Sequence, residues 1–225
     1  TSGSLLLQTG VSRGGRAGDI ILAAGRSVGE ITSTNIDGSN VVVRTGESDS
    51  APSGQLDISS ADGSLAGSGR VLLYSGSALE GQSGDLIIHT GKSSGRGSGH
   101  VSIRSGDSRD LKSKSGNIDI LGGTGQFEGS DIRIASGAGG DMSGSAAVLT
   151  ADGVGNSGAV TVSTGSSKRG NSGFVVLTTG TASQMAGGIQ LSVGHSSSGS
   201  GSVSLRAGST SSVNGGNVDV RSGAS

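Results

Sequence analysis

The stretch SGDLIIHTGKSSGRGSGHVSIRSG, residues 83–106, contains two copies of one eight-residue pattern. The pattern is Gly-x-φ-x-φ-x-small-Gly, where φ is Val, Ile or Leu, and its copies are GDLIIHTG (84–91) and GHVSIRSG (99–106). The two copies begin about 15 residues apart, and self-similarity at a fixed spacing is the signature of a repeat architecture. This pair therefore predicts the organisation of the chain around it.

The same unit recurs in both directions from residues 83–106, giving about fifteen copies at a mean spacing of about 15 residues. The unit keeps its length while the segments between units vary, as expected for regular elements joined by loops. The predicted unit starts are Gly3, Gly18, Ser39, Gly54, Gly69, Gly84, Gly99, Gly116, Ser130, Ser145, Gly158, Gly173, Gly187, Gly201 and Gly216.

The alternation inside the unit predicts a β-strand with one apolar face. The third and fifth positions are apolar in nearly every copy, and side chains two residues apart lie on the same face of a strand. A helix is excluded because no 3.6-residue period exists and Gly recurs too often. The flanking glycines indicate corners, where the backbone can need angles that a β-carbon disfavours.

A strand with two large apolar residues cannot bury its face alone, so the sequence predicts an all-β fold in which the units stack. The expected architecture is a parallel β-solenoid with two repeats per coil, because a wall built from the uneven connecting segments would interrupt the stack. One repeat per coil and an antiparallel meander remain alternatives. The residues expected to be buried and stacked on their equivalents include Val101, Ile103, Val160, Val162, Val203, Leu205, Val218 and Val220.

The composition sets the size of that core. The chain has 46 Gly, 1 Tyr, 2 Phe and no Trp, and hydrophobic residues make up 31%, so any core is thin. Disorder is the alternative, and the single Pro and the regular spacing of apolar residues argue against it. We expect residues 1–225 to form one continuous array, a segment of a longer protein, since neither end shows a capping repeat.

Charge and side-chain chemistry exclude several classes of function. The net charge of −1 gives no general attraction for nucleic acid, and no apolar run reaches the ~20 residues of a membrane span. The three His residues lack metal-ligand spacing, and no nucleophile elbow or phosphate-binding loop is present. The sequence predicts no enzyme, no cofactor and no metal site.

The fourth position of the unit should point outward, yet it is apolar in several copies. High β-propensity of Val and Ile is one explanation. The other is a lateral-contact face that packs on a neighbouring chain, because contiguous exposed apolar residues usually mark contacts. The residues of this predicted lateral face are Leu6, Ile21, Val42, Leu72, Ile87, Val148 and Val176.

One basic segment interrupts the balanced charge. Residues 92–114 contain six cationic side chains against Asp107 and Asp110: Lys92, Arg96, Arg104, Arg109, Lys112 and Lys114. A solvated basic patch is the plain interpretation, and contact with an acidic polysaccharide or a neighbouring subunit is the alternative.

The runs at 83–106 and 157–180 (SGAVTVSTGSSKRGNSGFVVLTTG) resemble the Gly/Ser-rich tandem repeats of microalgal and protist surface proteins, and are broadly similar to the strand repeats of filamentous adhesins. That resemblance implies an extracellular or cell-surface structural fibre, filament or stalk whose partners are itself or neighbouring chains. An adhesin or polysaccharide-binding role is the alternative. Ice binding is disfavoured because the outward positions lack a regular Thr-x-Thr ladder.

Overall fold

The structure is a computed structural model that describes residues 3–28, 37–95, 97–110, 112–211 and 214–223. Those residues contain no helix and no strand, so the predicted all-β solenoid is wrong. A strand needs hydrogen bonds to a neighbour along its length, and alternation alone does not supply the neighbour. The Gly-rich backbone also loses more conformational entropy on ordering than other sequences, which opposes a ladder of strands.

The chain nevertheless keeps a regular alternation between eight-residue units and bends. Within the described ranges, every bend or turn lies in a segment between two units, for example at 13–15, 49–51, 64–66 and 168–170. The eight-residue units themselves contain none. The constant units and the variable connections of the sequence therefore differ in backbone geometry as well as in length.

In the described chain, the connecting segments other than 26–38 bring the seventh residue of one unit close to the first residue of the next, and we call this contact a junction. A β-carbon placed on Gly54 would lie 3.2 Å from Thr45 Cβ, and one on Gly99 would lie 3.5 Å from Thr90 Cβ. The same approach occurs at every junction whose second unit begins with glycine. Compact loops with adjacent ends are Ω-type loops, and the described connecting segments that end in these junctions are loops of this kind.

Backbone hydrogen bonds close several of these junctions at the same place. The N–H of Gly54 donates to the carbonyl of Gly46 at 3.0 Å, and the N–H of Gly216 donates to that of Gly208 at 2.9 Å. In each case the first residue of a unit bonds to the eighth residue of the unit before it. The equivalent pairs are Gly116 with Gly106, Ser130 with Gly123, and Gly144 with Gly137.

The glycines at the two ends of a unit have different roles. In the described residues no glycine has a positive φ, so the expectation that they adopt special corner angles is wrong. At the first position Gly54 provides space, because a β-carbon there would lie 3.2 Å from Thr45 Cβ, whereas the nearest approach at Gly18 is an ordinary 3.8 Å and Ser130 begins its unit with a side chain. The eighth-position glycine Gly46 has open space where its side chain would be, and nothing in the structure explains why glycine occupies that position.

The junctions also correct the start of one unit. Thr150 Cγ2 lies 3.6 Å from the position of a β-carbon on Gly158, and Gly144 donates its N–H to Gly137. Thr150 is thus the seventh residue of its unit, which begins at Gly144 and not at Ser145. Val148 consequently occupies the fifth position of that unit and not the fourth.

No residue in the described ranges is buried, so the predicted core at Val101, Ile103, Val160, Val162, Val203, Leu205, Val218 and Val220 is also wrong. The third-position side chains are the more covered, with Val101 54% exposed, whereas fifth-position Val220 is 85% exposed. The partly covered residues of the described ranges are all at the seventh position: Thr9, Ser60, Ser105 and Ala207. Packing is therefore confined to the junctions.

By its backbone contacts the chain divides into two compact regions, Thr1–Asn117 and Ile118–Ser225. In the first, the junction between Ser105 and Gly116 is the last before the boundary. In the second, Ser130 Oγ accepts a hydrogen bond from the Gly123 N–H at 2.7 Å and closes the first junction after it. Both regions contain the same kind of loop and junction.

Candidate functional site

The predicted lateral face lies on the surface throughout. Leu72 is the most covered of these side chains at 63% exposed, and Val148 is 81% exposed. The other members, Leu6, Ile21, Val42, Ile87 and Val176, fall between these values. The fifth-position residues are exposed to a similar degree, and the third-position residues are exposed although more covered, so apolar side chains lie on both sides of these units where the sequence predicted one outward row.

Side-chain contacts show how positions are distributed around the backbone of a unit. Gln55 Nε2 donates to Asp57 Oδ1 at 2.7 Å, and Arg221 Nε donates to Asp219 Oδ1 at 2.9 Å. These pairs join the second position to the fourth, and the sixth to the fourth. Even positions therefore share one side of the extended chain, as side chains two apart do. The predicted lateral residues other than Val148 lie on that side, several of them between polar neighbours, as Val42 does between Asn40 and Arg44.

The tips of the loops carry a third set of exposed apolar side chains, which the sequence analysis did not identify. Phe127 has 101% of its reference surface exposed and Val154 has 112%, and neither belongs to an eight-residue unit. The signal available in the sequence was a single large apolar residue inside a Gly/Ser-rich connection. Equivalent loop residues are Leu65, Leu79, Met142 and Met185.

The cationic side chains of the basic segment are exposed wherever they are described, and Arg96 lies outside the described residues. Within the described part of the chain, the ion pairs are Arg16 with Asp19 and Arg221 with Asp219. The described cationic side chains of residues 92–114 therefore form no ion pair with a carboxylate. Asp110 instead holds a turn, in which its carboxylate accepts from Ser113 Oγ at 2.5 Å and from the Lys112 N–H at 3.1 Å.

The turn at Asp110 predicts a local dependence on pH. The hydrogen bond from Ser113, followed by that from the Lys112 backbone, lowers the pKa of Asp110 from its ordinary value of 3.8. Because the pKa of Asp110 is lower in the folded turn than in the unfolded chain, the ionised carboxylate stabilises the turn fully above pH 3.8. This stabilisation is lost as the pH falls through the lowered pKa.

We expect acidification to release the Ser113 hydroxyl and the Lys112 amide from the Asp110 carboxylate, and Asp110→Asn to weaken the same turn at neutral pH. An NMR titration of the Lys112 amide checks both. A Lys112 shift whose midpoint lies at or above the ordinary Asp value would contradict the assignment, and the amide of Gly54, which bonds to a carbonyl, serves as the control.

The described residues hold no group of three or more acidic or His side chains placed to bind a metal ion, and they enclose no pocket. No helix among them is long and apolar enough to cross a membrane. What the arrangement offers chemically is a repeated set of exposed Val, Ile and Leu side chains at a fixed place in every unit. No family model, curated protein or solved structure matches the chain.

Proposed function

We propose that the chain is a structural repeat segment of an extracellular or cell-surface filament or stalk, and that it acts by packing laterally against other copies or neighbouring chains. The observation that supports this best is the recurrence of the junction along the chain, from Thr9 with Gly18 to Ala207 with Gly216. A recurrent junction presents the same short apolar segment again and again. A surface that repeats in this way suits polymeric contact with another copy of itself.

The exposed apolar surface gives such contact a driving force. Side chains such as Ile87 and Val176 remain more than two thirds exposed in the isolated chain, at 73% and 72%. Burying one such side chain contributes about 1.5–3 kcal/mol, and the chain presents many. With a net charge of −1, the chain carries little charge repulsion against a second copy.

The test is sedimentation velocity of the purified chain over a range of protein and salt concentrations. We expect association that grows with protein concentration and persists at high salt, because apolar contacts are not screened by ions. Electron microscopy should show elongated or bundled particles. A single monomeric species at all concentrations, with no particles larger than one chain, would contradict the proposal.

Polysaccharide binding is the second candidate, and the unpaired cations around Arg104 and Lys112 favour it. Such binding would require electrostatic attraction to carboxylate or sulfate groups, which salt screens. Retention on an immobilised acidic polysaccharide, lost at high salt and in an Arg104→Ser, Lys112→Ser variant, would support it. Equal retention of that variant would exclude this segment as the binding site.

A further inference from the structure

Asn214 and Gly215 lie directly before Gly216, which forms the last junction of the chain. Asn214 is the one asparagine of the sequence that is followed by glycine. Asn214 is exposed. In the described residues its side-chain amide and the N–H of Gly215 make no hydrogen bond. The next residue, Gly216, donates its N–H to the Gly208 carbonyl at 2.9 Å. An exposed side-chain amide thus adjoins a backbone N–H that makes no hydrogen bond within the described chain, in a glycine whose β-carbon would lie 3.2 Å from the Gly208 carbonyl oxygen.

We propose that Asn214 is a site of spontaneous deamidation, and that its isoaspartyl product weakens the junction between Gly208 and Gly216. The deprotonated backbone nitrogen of Gly215 attacks Asn214 Cγ, so that a C–N bond forms and the Cγ–Nδ2 bond breaks. The amide nitrogen leaves as ammonia, and a five-membered succinimide remains. Water then opens the ring at either carbonyl, which gives Asp or isoaspartate without any change of oxidation state.

Glycine at 215 is what makes the attack easy. The attack requires the backbone around residue 215 to rotate until its nitrogen faces the side chain, and glycine has the widest range of backbone angles and no β-carbon in the way. The asparagines that precede β-branched residues provide a comparison inside the same molecule. They include Asn117, which precedes Ile118, and Asn217, which precedes Val218.

Formation of isoaspartate at residue 214 would disturb the junction between Gly208 and Gly216. The isoaspartyl linkage adds a methylene to the main chain two residues before Gly216, so the distance and direction of its N–H relative to the Gly208 carbonyl change. This change opposes the hydrogen bond that closes this loop.

The experiment incubates the purified chain at neutral pH and physiological temperature and follows it by peptide mapping and mass spectrometry. We expect Asn214 to convert at least about tenfold faster than Asn117 or Asn217, because only Asn214 is followed by glycine. Fragmentation that distinguishes isoaspartate from aspartate should find both. Equal rates at the three asparagines would overturn the assignment.

Two further measurements test the cause and the consequence. Gly215→Ala should slow the conversion of Asn214 about tenfold, whereas an unchanged rate would show that glycine is not responsible. Amide hydrogen exchange should be faster at Gly216 in the aged chain than in the fresh one. Gly54, whose equivalent junction has no asparagine in its loop, should be unchanged, and an unchanged Gly216 would overturn the effect on the junction.

Discussion

Substitution of the first five residues of the predicted lateral face by Thr is expected to weaken self-association at least about tenfold, a change of about 1.4 kcal/mol. The substitutions are Leu6→Thr, Ile21→Thr, Val42→Thr, Leu72→Thr and Ile87→Thr. Threonine keeps the preference for extended backbone and removes the apolar contact. Because these side chains are mostly exposed in the single chain, the substitutions remove little internal packing from it. Sedimentation velocity and electron microscopy measure the loss.

The loop tips provide a control with the same number of large apolar residues removed. The control variant carries Leu65→Thr, Leu79→Thr, Phe127→Thr, Val154→Thr and Met185→Thr, all at side chains at least as exposed as those of the lateral face. It should associate as the unmodified chain does. An equal loss in both variants would mean that general hydrophobicity causes association, and no loss in the lateral variant would exclude this face.

The sequence predicted where the units and connecting segments lie better than it predicted which residues of neighbouring units are in contact. The constant spacing located the segments that bend, because Gly/Ser-rich connections between apolar pairs are where the described backbone turns, as at 64–66. It did not predict that the Ser60 side chain would pack on Gly69. A contact between a small side chain and a glycine has no periodic apolar signal to reveal it.

The predicted solenoid was wrong because, in the residues that the structure describes, the backbone hydrogen bonds do not run along the units. A ladder would have bonded residues along whole units, whereas the backbone bonds of the described chain lie at unit ends, as between Gly144 and Gly137, or inside a connecting segment, as between Ser113 and Asp110. Between those ends Val160 keeps 56% of its surface exposed and Val162 keeps 74%. Alternation established which side chains share a side of the backbone. It could not establish that another strand would cover them.

The lateral face itself was only partly accessible to sequence reasoning. The outward position of Val148 depended on a unit start at Ser145, and the contact of Thr150 with Gly158 moves that start by one residue. With a period of two, a shift of one residue exchanges the two sides of the unit. The spacing alone could not detect this shift, because Gly144 and Ser145 both resemble the residues that begin other units.

Replacing Gly139 by alanine is expected to open the junction between Gly137 and Gly144, with about tenfold faster amide exchange at Gly144. A β-carbon at Gly139 would collide with the carbonyl oxygen of Met142, three residues further along the same turn. Backbone oxygen cannot move aside as a flexible side chain can, so the turn must open and carry the loop ends apart. The Gly144 N–H, now 2.9 Å from the Gly137 carbonyl, then loses its acceptor.

Gly140 is the matched control, since it is the next residue in the same turn and a β-carbon there would meet nothing within 4 Å. Gly140→Ala removes the same backbone freedom from the unfolded chain and should leave Gly144 exchange unchanged or slightly slower. The comparison separates the collision from the general effect of adding a methyl group. If both variants exchange Gly144 at the same rate, the turn does not depend on the space at Gly139, and the junctions are not held by the geometry of their loops.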